Sequence, residues 1–184
     1  MANRLPRRYQ KSRAFKRPED QLRCLGAGLL MLRLGLRDEG DLVYGPQGKP
    51  SAAYLPAFNI SHSGDYVVCA AAKTPGCTTA VGVDVEHPRP DSLHVAERVF
   101  TAREIEWMQQ GDAPRRFCQL WTCKEALIKL FGEGLHMDPQ TFDVMALIHG
   151  ESLAVNGMEI RAQFQERDGH VLCAVTNVPR AAAC

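Results

Sequence analysis

Residues 81–86 read Val81-Gly82-Val83-Asp84-Val85-Glu86, and this alternation decides the fold. Valine at every second position predicts a strand over Ala80 to Glu86 with one face in a core. The other face carries Asp84 and Glu86, two residues apart and so on the same side. Upstream, residues 57–61 and 66–72 read as strands, the second apolar enough to be buried on both faces. The Thr74-Pro75-Gly76 turn links them to the Asp84 strand.

Further out, Pro18 with Glu19 and Asp20 opens a helix of about five turns, proline in its first turn and acids at the positive end of the dipole. Leu22, Leu25, Leu29, Leu32 and Leu36 form its predicted apolar face. Gly40 to Pro50 is loop around a short extended Leu42-Val43-Tyr44. Downstream, Thr101 and Glu104 form a capping box for a short helix through Trp107 and Met108. A longer helix runs from Pro114 to Phe131, and Phe142 to Thr176 is strand-like, with Arg167-Asp168-Gly169 as a hairpin turn. The class is α+β, in two halves, 1–80 and 81–184, joined near residues 73–90.

With 184 residues the chain can bury a core without staples, and 45% hydrophobic with 23% charged residues exclude wholesale disorder, collagen-like repeats and coiled coil. No apolar run reaches the ~18–20 residues of a membrane span, and Met1 to Arg17 has no apolar segment for a signal peptide. Seven cysteines without a CxxC pair read as reduced thiols of a cytoplasmic protein. Six histidines without an HExxH pattern make zinc a poor fit, and oxygen ligands a better one for any metal. The net charge of +1 hides an asymmetry: seven Lys/Arg and no acid in residues 1–17 against a net −6 in the remainder. Such an arm meets phosphate or an acidic partner, or is a solvated tail over its first ten residues.

Asp84 and Glu86 repel one another unless a cation neutralises them, and Mg²⁺ commonly takes one or two protein carboxylates plus phosphate oxygens. The plainer account of a bare pair is a solvent-facing strand end. In the helix around Trp121, an apolar stripe of Phe117, Leu120, Trp121, Leu127, Ile128 and Phe131 contains Lys124, which must reach solvent or meet an anion. Glu125 and Lys129 flank it at i and i+4, as an ordinary helix ion pair or as a third carboxylate and a phosphate ligand. Residues 45–50 lack the first glycine and the Ser/Thr of a P-loop, and Ser61-His62-Ser63-Gly64 lacks the glycine of a nucleophile elbow. As a lone histidine after a strand, His62 is more often structural than functional.

In order, Gly48-Lys49-Pro50, Phe58-Asn59-Ile60-Ser61-His62-Ser63, Val81 to Glu86, and Trp121-Thr122-Cys123-Lys124-Glu125-Ala126-Leu127-Ile128-Lys129 resemble the 4′-phosphopantetheinyl transferase superfamily, in its surfactin-synthetase-activating branch. The resemblance runs from about Arg8 to Val175. It implies two similar, pseudo-twofold-related α+β halves with coenzyme A in the cleft between them. It implies transfer of the 4′-phosphopantetheine arm to a serine of an apo acyl or peptidyl carrier protein, with release of adenosine 3′,5′-bisphosphate.

On this resemblance Asp84, Glu86 and Glu125 match the magnesium-binding acids, and Glu125 is also the general base. Lys124 and Lys129 match phosphate ligands, and Lys49, Ser61 and His62 match positions at the nucleotide. Arg8, Lys11 and Arg13 align near the 3′-phosphate. Two fused halves imply a monomer. Members of the branch usually carry a further N-terminal strand and more chain after the last one, so an altered edge to the first half's sheet is expected. Two other readings stay open: a module that binds coenzyme A or a carrier without turnover, which the intact acids and Lys129 oppose, and nucleic-acid binding, which lacks a stacking platform.

Overall fold

The computed structural model describes residues 5–73, 79–132 and 137–178. The turn expected at Thr74-Pro75-Gly76 lies outside these, as do Cys77 and Cys184. The basic arm is helical, not a loose tail: α1 spans Pro6–Arg13, with Pro6 in its first turn. It is pinned by Leu5, wholly buried in a small core with Met31, Leu36, Leu55 and Phe58, and by Arg8, which pairs with Glu39. One apolar anchor in a stretch full of cations gives no periodicity to read.

Helix α2 spans Pro18–Leu34 and ends at Gly35, whose φ of 103° is the left-handed conformation that glycine adopts without strain. Its buried face is Ala27, Gly28 and Met31. The leucine repeat overstates the core, because Leu22 and Leu29 are exposed. Short strands β1 (Val43–Tyr44) and β2 (Pro50–Ser51) pair across the loop, and β3 (Phe58–Ser63) pairs antiparallel with β4 (Tyr66–Ala71). Against expectation β4 is only half-buried, and no described strand pairs with its outer edge.

Strand β5 (Val81–Glu86) is buried on both faces up to Glu86 and opens the larger sheet. After two short helices, α3 (Ala96–Val99) and α4 (Ala102–Gln109), the long helix α5 (Ala113–Phe131) lies across that sheet. Both hydrogen bonds of the Thr101–Glu104 capping box are present. The stretch expected to be strand-like from Phe142 begins instead with a single helical turn, α6 (Met145–Ile148). Three strands then follow: β6 (Leu153–Val155), β7 (Met158–Arg167) and β8 (His170–Asn177). The sheet runs β5-β8-β7-β6, antiparallel throughout. Positive φ at Asp168 and Gly169 gives the β7–β8 hairpin its expected tight turn.

The main core lies between α5 and the sheet, with Leu120, Leu127, Val144, Ile160, Cys173 and Val175 at its centre. Helix and strand meet closely at Gly82, where a Cβ would stand 1.9 Å from the Ala126 carbonyl oxygen. That contact seats α5 over β5 and so fixes the side chains of Glu125 and Lys129 relative to Asp84. Among the described residues no helix is long and apolar enough to cross a membrane.

Candidate active site

Strands β3 and β5 do not share a sheet, yet alternate side chains join them. Asn59 Oδ1 accepts the Val83 N–H at 2.8 Å. Ser61 Oγ donates to Asp84 Oδ1 at 2.6 Å, and Ser63 Oγ donates to Glu86 Oε2 at 2.8 Å. The period of two in β3 puts all three polar residues on the face toward β5, where each meets a backbone or carboxylate group of that strand.

The C-terminal part of α5 completes the site. Lys129 Nζ lies 2.5 Å from Asp84 Oδ1 and 3.1 Å from Ser61 Oγ. Asp84 is 3% exposed, and its second oxygen, Oδ2, is buried without a hydrogen-bond partner among the described residues. Ser61, His62, Asp84, Glu86, Glu125 and Lys129 border a cavity of about 400 Å³. Burial raises the Glu86 carboxyl above the usual carboxylate range, and the Asp84 charge adds to this against the lowering effect of the Ser63 hydroxyl. Burial likewise raises Glu125, opposed by Lys129 and reinforced by Asp84 and Glu86. Three carboxylates thus crowd a place that holds one lysine charge.

Other residues singled out from the sequence lie elsewhere. Lys124 is 0% exposed and does not reach the cleft. Its ammonium lies 2.8 Å from Glu104 Oε2 and donates to the carbonyls of Pro139 and Phe142, both at 2.6 Å. Burial lowers its pKa, opposed by Glu104. The anion that an apolar stripe demands of a lysine is therefore a carboxylate of α4, not a phosphate. Lys49 Nζ donates to the carbonyls of Val81, Lys129 and Leu130, at 2.9, 2.7 and 3.2 Å, tying the first half to the end of α5. Arg8 is engaged with Glu39, while Lys11 and Arg13 are exposed on α1. None of these five borders the carboxylate cavity. Sequence reasoning did not single out Asn59, Ser63 or Glu104 as site or supporting residues. The first two had a signal, their period-two register with Ser61, and the third had its place in the capping box.

Residues 80–176, just over half the chain, match the model of the 4′-phosphopantetheinyl transferase superfamily. The chain belongs to this superfamily. It is 35% identical over 150 residues to the 4′-phosphopantetheinyl transferase Sfp of Bacillus subtilis (strain 168), covering 76% of this chain and 65% of that protein. It is 41% identical over 100 residues to the 4′-phosphopantetheinyl transferase psf-1 of Bacillus pumilus, covering 52% of this chain and 41% of that one. The chain therefore spans less than two thirds of the length of these relatives.

The donor atoms at the cleft match the chemistry of a hard divalent cation. The orphaned Asp84 Oδ2, Glu86 and Glu125 are hard oxygen donors of the kind Mg²⁺ selects. As the side chains stand, no group of three or more His, Cys, Asp or Glu residues among those described is drawn together closely enough to hold a metal ion. Mg²⁺ in general takes one or two protein carboxylates and completes its shell with water and phosphate oxygens.

Proposed function

We propose that this chain transfers the 4′-phosphopantetheine arm of coenzyme A to a serine of an apo acyl or peptidyl carrier protein. The observation that carries the reading is the Asp84, Glu86, Glu125 and Lys129 cluster around one cavity, with a buried carboxylate oxygen left without a partner. Asp84, Glu86 and Glu125 would hold Mg²⁺. Bound there, the ion supplies positive charge to the pyrophosphate, as in phosphoryl transfer generally.

The chain's own residues do the rest. Glu125 takes the proton of the carrier serine, a role suited to a carboxylate whose burial raises its affinity for protons. The serine oxygen bonds to the phosphorus that bears pantetheine. The bond from that phosphorus to the bridging oxygen breaks, and the oxygen leaves on adenosine 3′,5′-bisphosphate. Lys129 holds the phosphates and keeps Asp84 in place. Ser61 and His62 serve the nucleotide side, with Arg8, Lys11 and Arg13 approaching it from α1, while Lys49 braces the end of α5. Lys124 supports the helix that carries Glu125. Residues 1–80 then form the nucleotide half and residues 81–184 the metal and catalytic half. All the cleft residues belong to one chain, so one copy carries a whole site. Free Cys24, Cys69, Cys118, Cys123 and Cys173 support a reducing, cytoplasmic setting.

The test is chromatographic: adenosine 3′,5′-bisphosphate should appear only when coenzyme A and an apo carrier are both present, one nucleotide for each carrier modified. Release without a carrier, or none with several carriers, would contradict the reading.

A further inference from the structure

The last carbonyls of an α-helix have no partner within it, and the aligned peptide dipoles leave that end partly negative. Two of these carbonyls on α5 are met by Lys49, from the loop between β1 and β2. Its ammonium has three N–H groups, and they face three backbone oxygens: Lys129 at 2.7 Å and Leu130 at 3.2 Å on α5, and Val81 at 2.9 Å at the start of β5. The aliphatic stem passes the helix cap, where a Cβ on Gly132 would stand 3.9 Å from Lys49 Cδ. The loop that delivers the ammonium is itself tied, the Gly45 N–H donating to the Lys49 carbonyl at 3.0 Å and the Gly48 N–H to the Gly45 carbonyl at 2.9 Å. These anchors lie on the two elements that carry the metal-type acids. Val81 opens the strand of Asp84 and Glu86, and Lys129 is the residue whose own ammonium holds Asp84 at 2.5 Å. At the same junction Gly82 lets helix and strand touch, since a Cβ there would also stand 2.7 Å from the Leu130 nitrogen. Contact stops α5 from coming closer to β5, but only a bond such as the Lys49 ammonium makes can stop it from drawing away.

We propose that Lys49 is a positioning residue for the transfer: by tying the end of α5 to the start of β5 it sets where Glu125 and Lys129 stand relative to Asp84, and so governs turnover and not coenzyme A affinity. The inference rests on the transferase reading above. It departs from the nucleotide-side role that the family resemblance implied for this lysine. A lysine that grips a phosphate needs N–H groups free to point at it. All three of those on Lys49 face carbonyl oxygens, and the residue does not border the carboxylate cavity. Turning to a phosphate would break three hydrogen bonds at once and leave the end of α5 without its cation.

The test is steady-state transfer to an apo carrier with coenzyme A varied, for wild type, Lys49→Met and Lys49→Arg, beside calorimetric coenzyme A affinity and far-ultraviolet circular dichroism. In Lys49→Met kcat should fall by about 10- to 100-fold, the scale on which a misplacement of about 1 Å acts. Its Kd for coenzyme A should stay within about three-fold of wild type, because the loss is confined to the reacting geometry. Lys49→Arg keeps the charge in a planar fork, and should recover part of kcat while staying several-fold below wild type at unchanged Kd. If Lys49→Met loses the wild-type spectrum, Lys49→Arg decides alone. In Glu125→Gln protein, Lys49→Met should cost less than about two-fold more, because the group it places is already gone. A Kd raised ten-fold or more with kcat kept would overturn the inference and make Lys49 a nucleotide ligand. Losses that multiply in the Glu125→Gln background would overturn it as well. In either case an active wild type leaves the transferase reading standing, whereas a wild type that transfers nothing overturns both.

Discussion

The ammonium of Lys129 is committed to Asp84, 2.5 Å away, while Glu125, one turn earlier on the same helix, has no hydrogen bond or ion pair among the described residues. The two residues at i and i+4 therefore do different work, although their spacing permits a simple helix ion pair. Lys129 neutralises a buried acid across the cleft, and Glu125 is left free beside the cavity with a raised affinity for protons.

Glu125→Gln keeps the shape of the side chain and removes its ability to take a proton. Transfer should fall by about 10²- to 10⁴-fold. Coenzyme A affinity, measured by calorimetry, should stay within a few-fold of wild type. Unimpaired turnover in this variant would remove Glu125 from the role of base.

Ser63 holds Glu86 by a 2.8 Å hydrogen bond and touches nothing that reacts. Ser63→Ala should weaken Mn²⁺ binding, followed by electron paramagnetic resonance, by about ten-fold, in line with the loss of a group that orients a metal ligand. Ser63→Thr should recover most of it. Equal metal affinity in all three proteins would mean that the hydroxyl does not orient Glu86 for a metal.

The Lys124–Glu104 pair is wholly buried and bridges α5, α4 and the 139–144 segment, because Glu104 also accepts the backbone N–H groups of Thr101 and Val144. Lys124→Met leaves that carboxylate buried without its cation and should lower stability by about 3–5 kcal/mol in denaturant titrations. Lys124→Met with Glu104→Gln should lower it by less than the two single changes summed. A change of a few tenths in the single variant, with coenzyme A binding lost, would return Lys124 to the cleft.

Burial pushes the Lys49 ammonium down to about 8 from its ordinary 10.5. Between these values the unfolded chain holds a proton that the folded chain has released, so stability contributed through Lys49 rises with pH across that window. Below it both states are protonated and the contribution is level. The difference between wild type and Lys49→Met in urea midpoints should therefore move in favour of wild type as pH rises from 8 toward the ordinary lysine range. Parallel curves would mean that the three carbonyls hold the proton as firmly as water does.

What was legible in the sequence was local. The Asp84-x-Glu86 strand, the Thr101 capping box, the Asp168-Gly169 turn and the long helix through Glu125 each follow from periodicity or from residues a few positions apart. The α1 helix was hidden because its one anchor, Leu5, works through contacts with residues far along the chain. Its apolar stripe requires Lys124 to reach solvent or meet an anion, but nothing in its own helix says that it meets Glu104, twenty positions earlier on α4, and not a phosphate. The leucine period of α2 marks an apolar side without showing that Leu22 and Leu29 are exposed. The cleft itself is a tertiary fact: Ser61 and Ser63 find their carboxylates only because β3 is laid beside β5.

The central claim is most directly tested by intact-mass measurement of an apo carrier protein after incubation with this chain, coenzyme A and Mg²⁺, with and without a chelator. A gain of one phosphopantetheine on the carrier, abolished by the chelator and restored by excess Mg²⁺, is the predicted result. An unchanged mass across several carriers, from protein that still binds coenzyme A, would contradict the claim and leave a binding module without turnover.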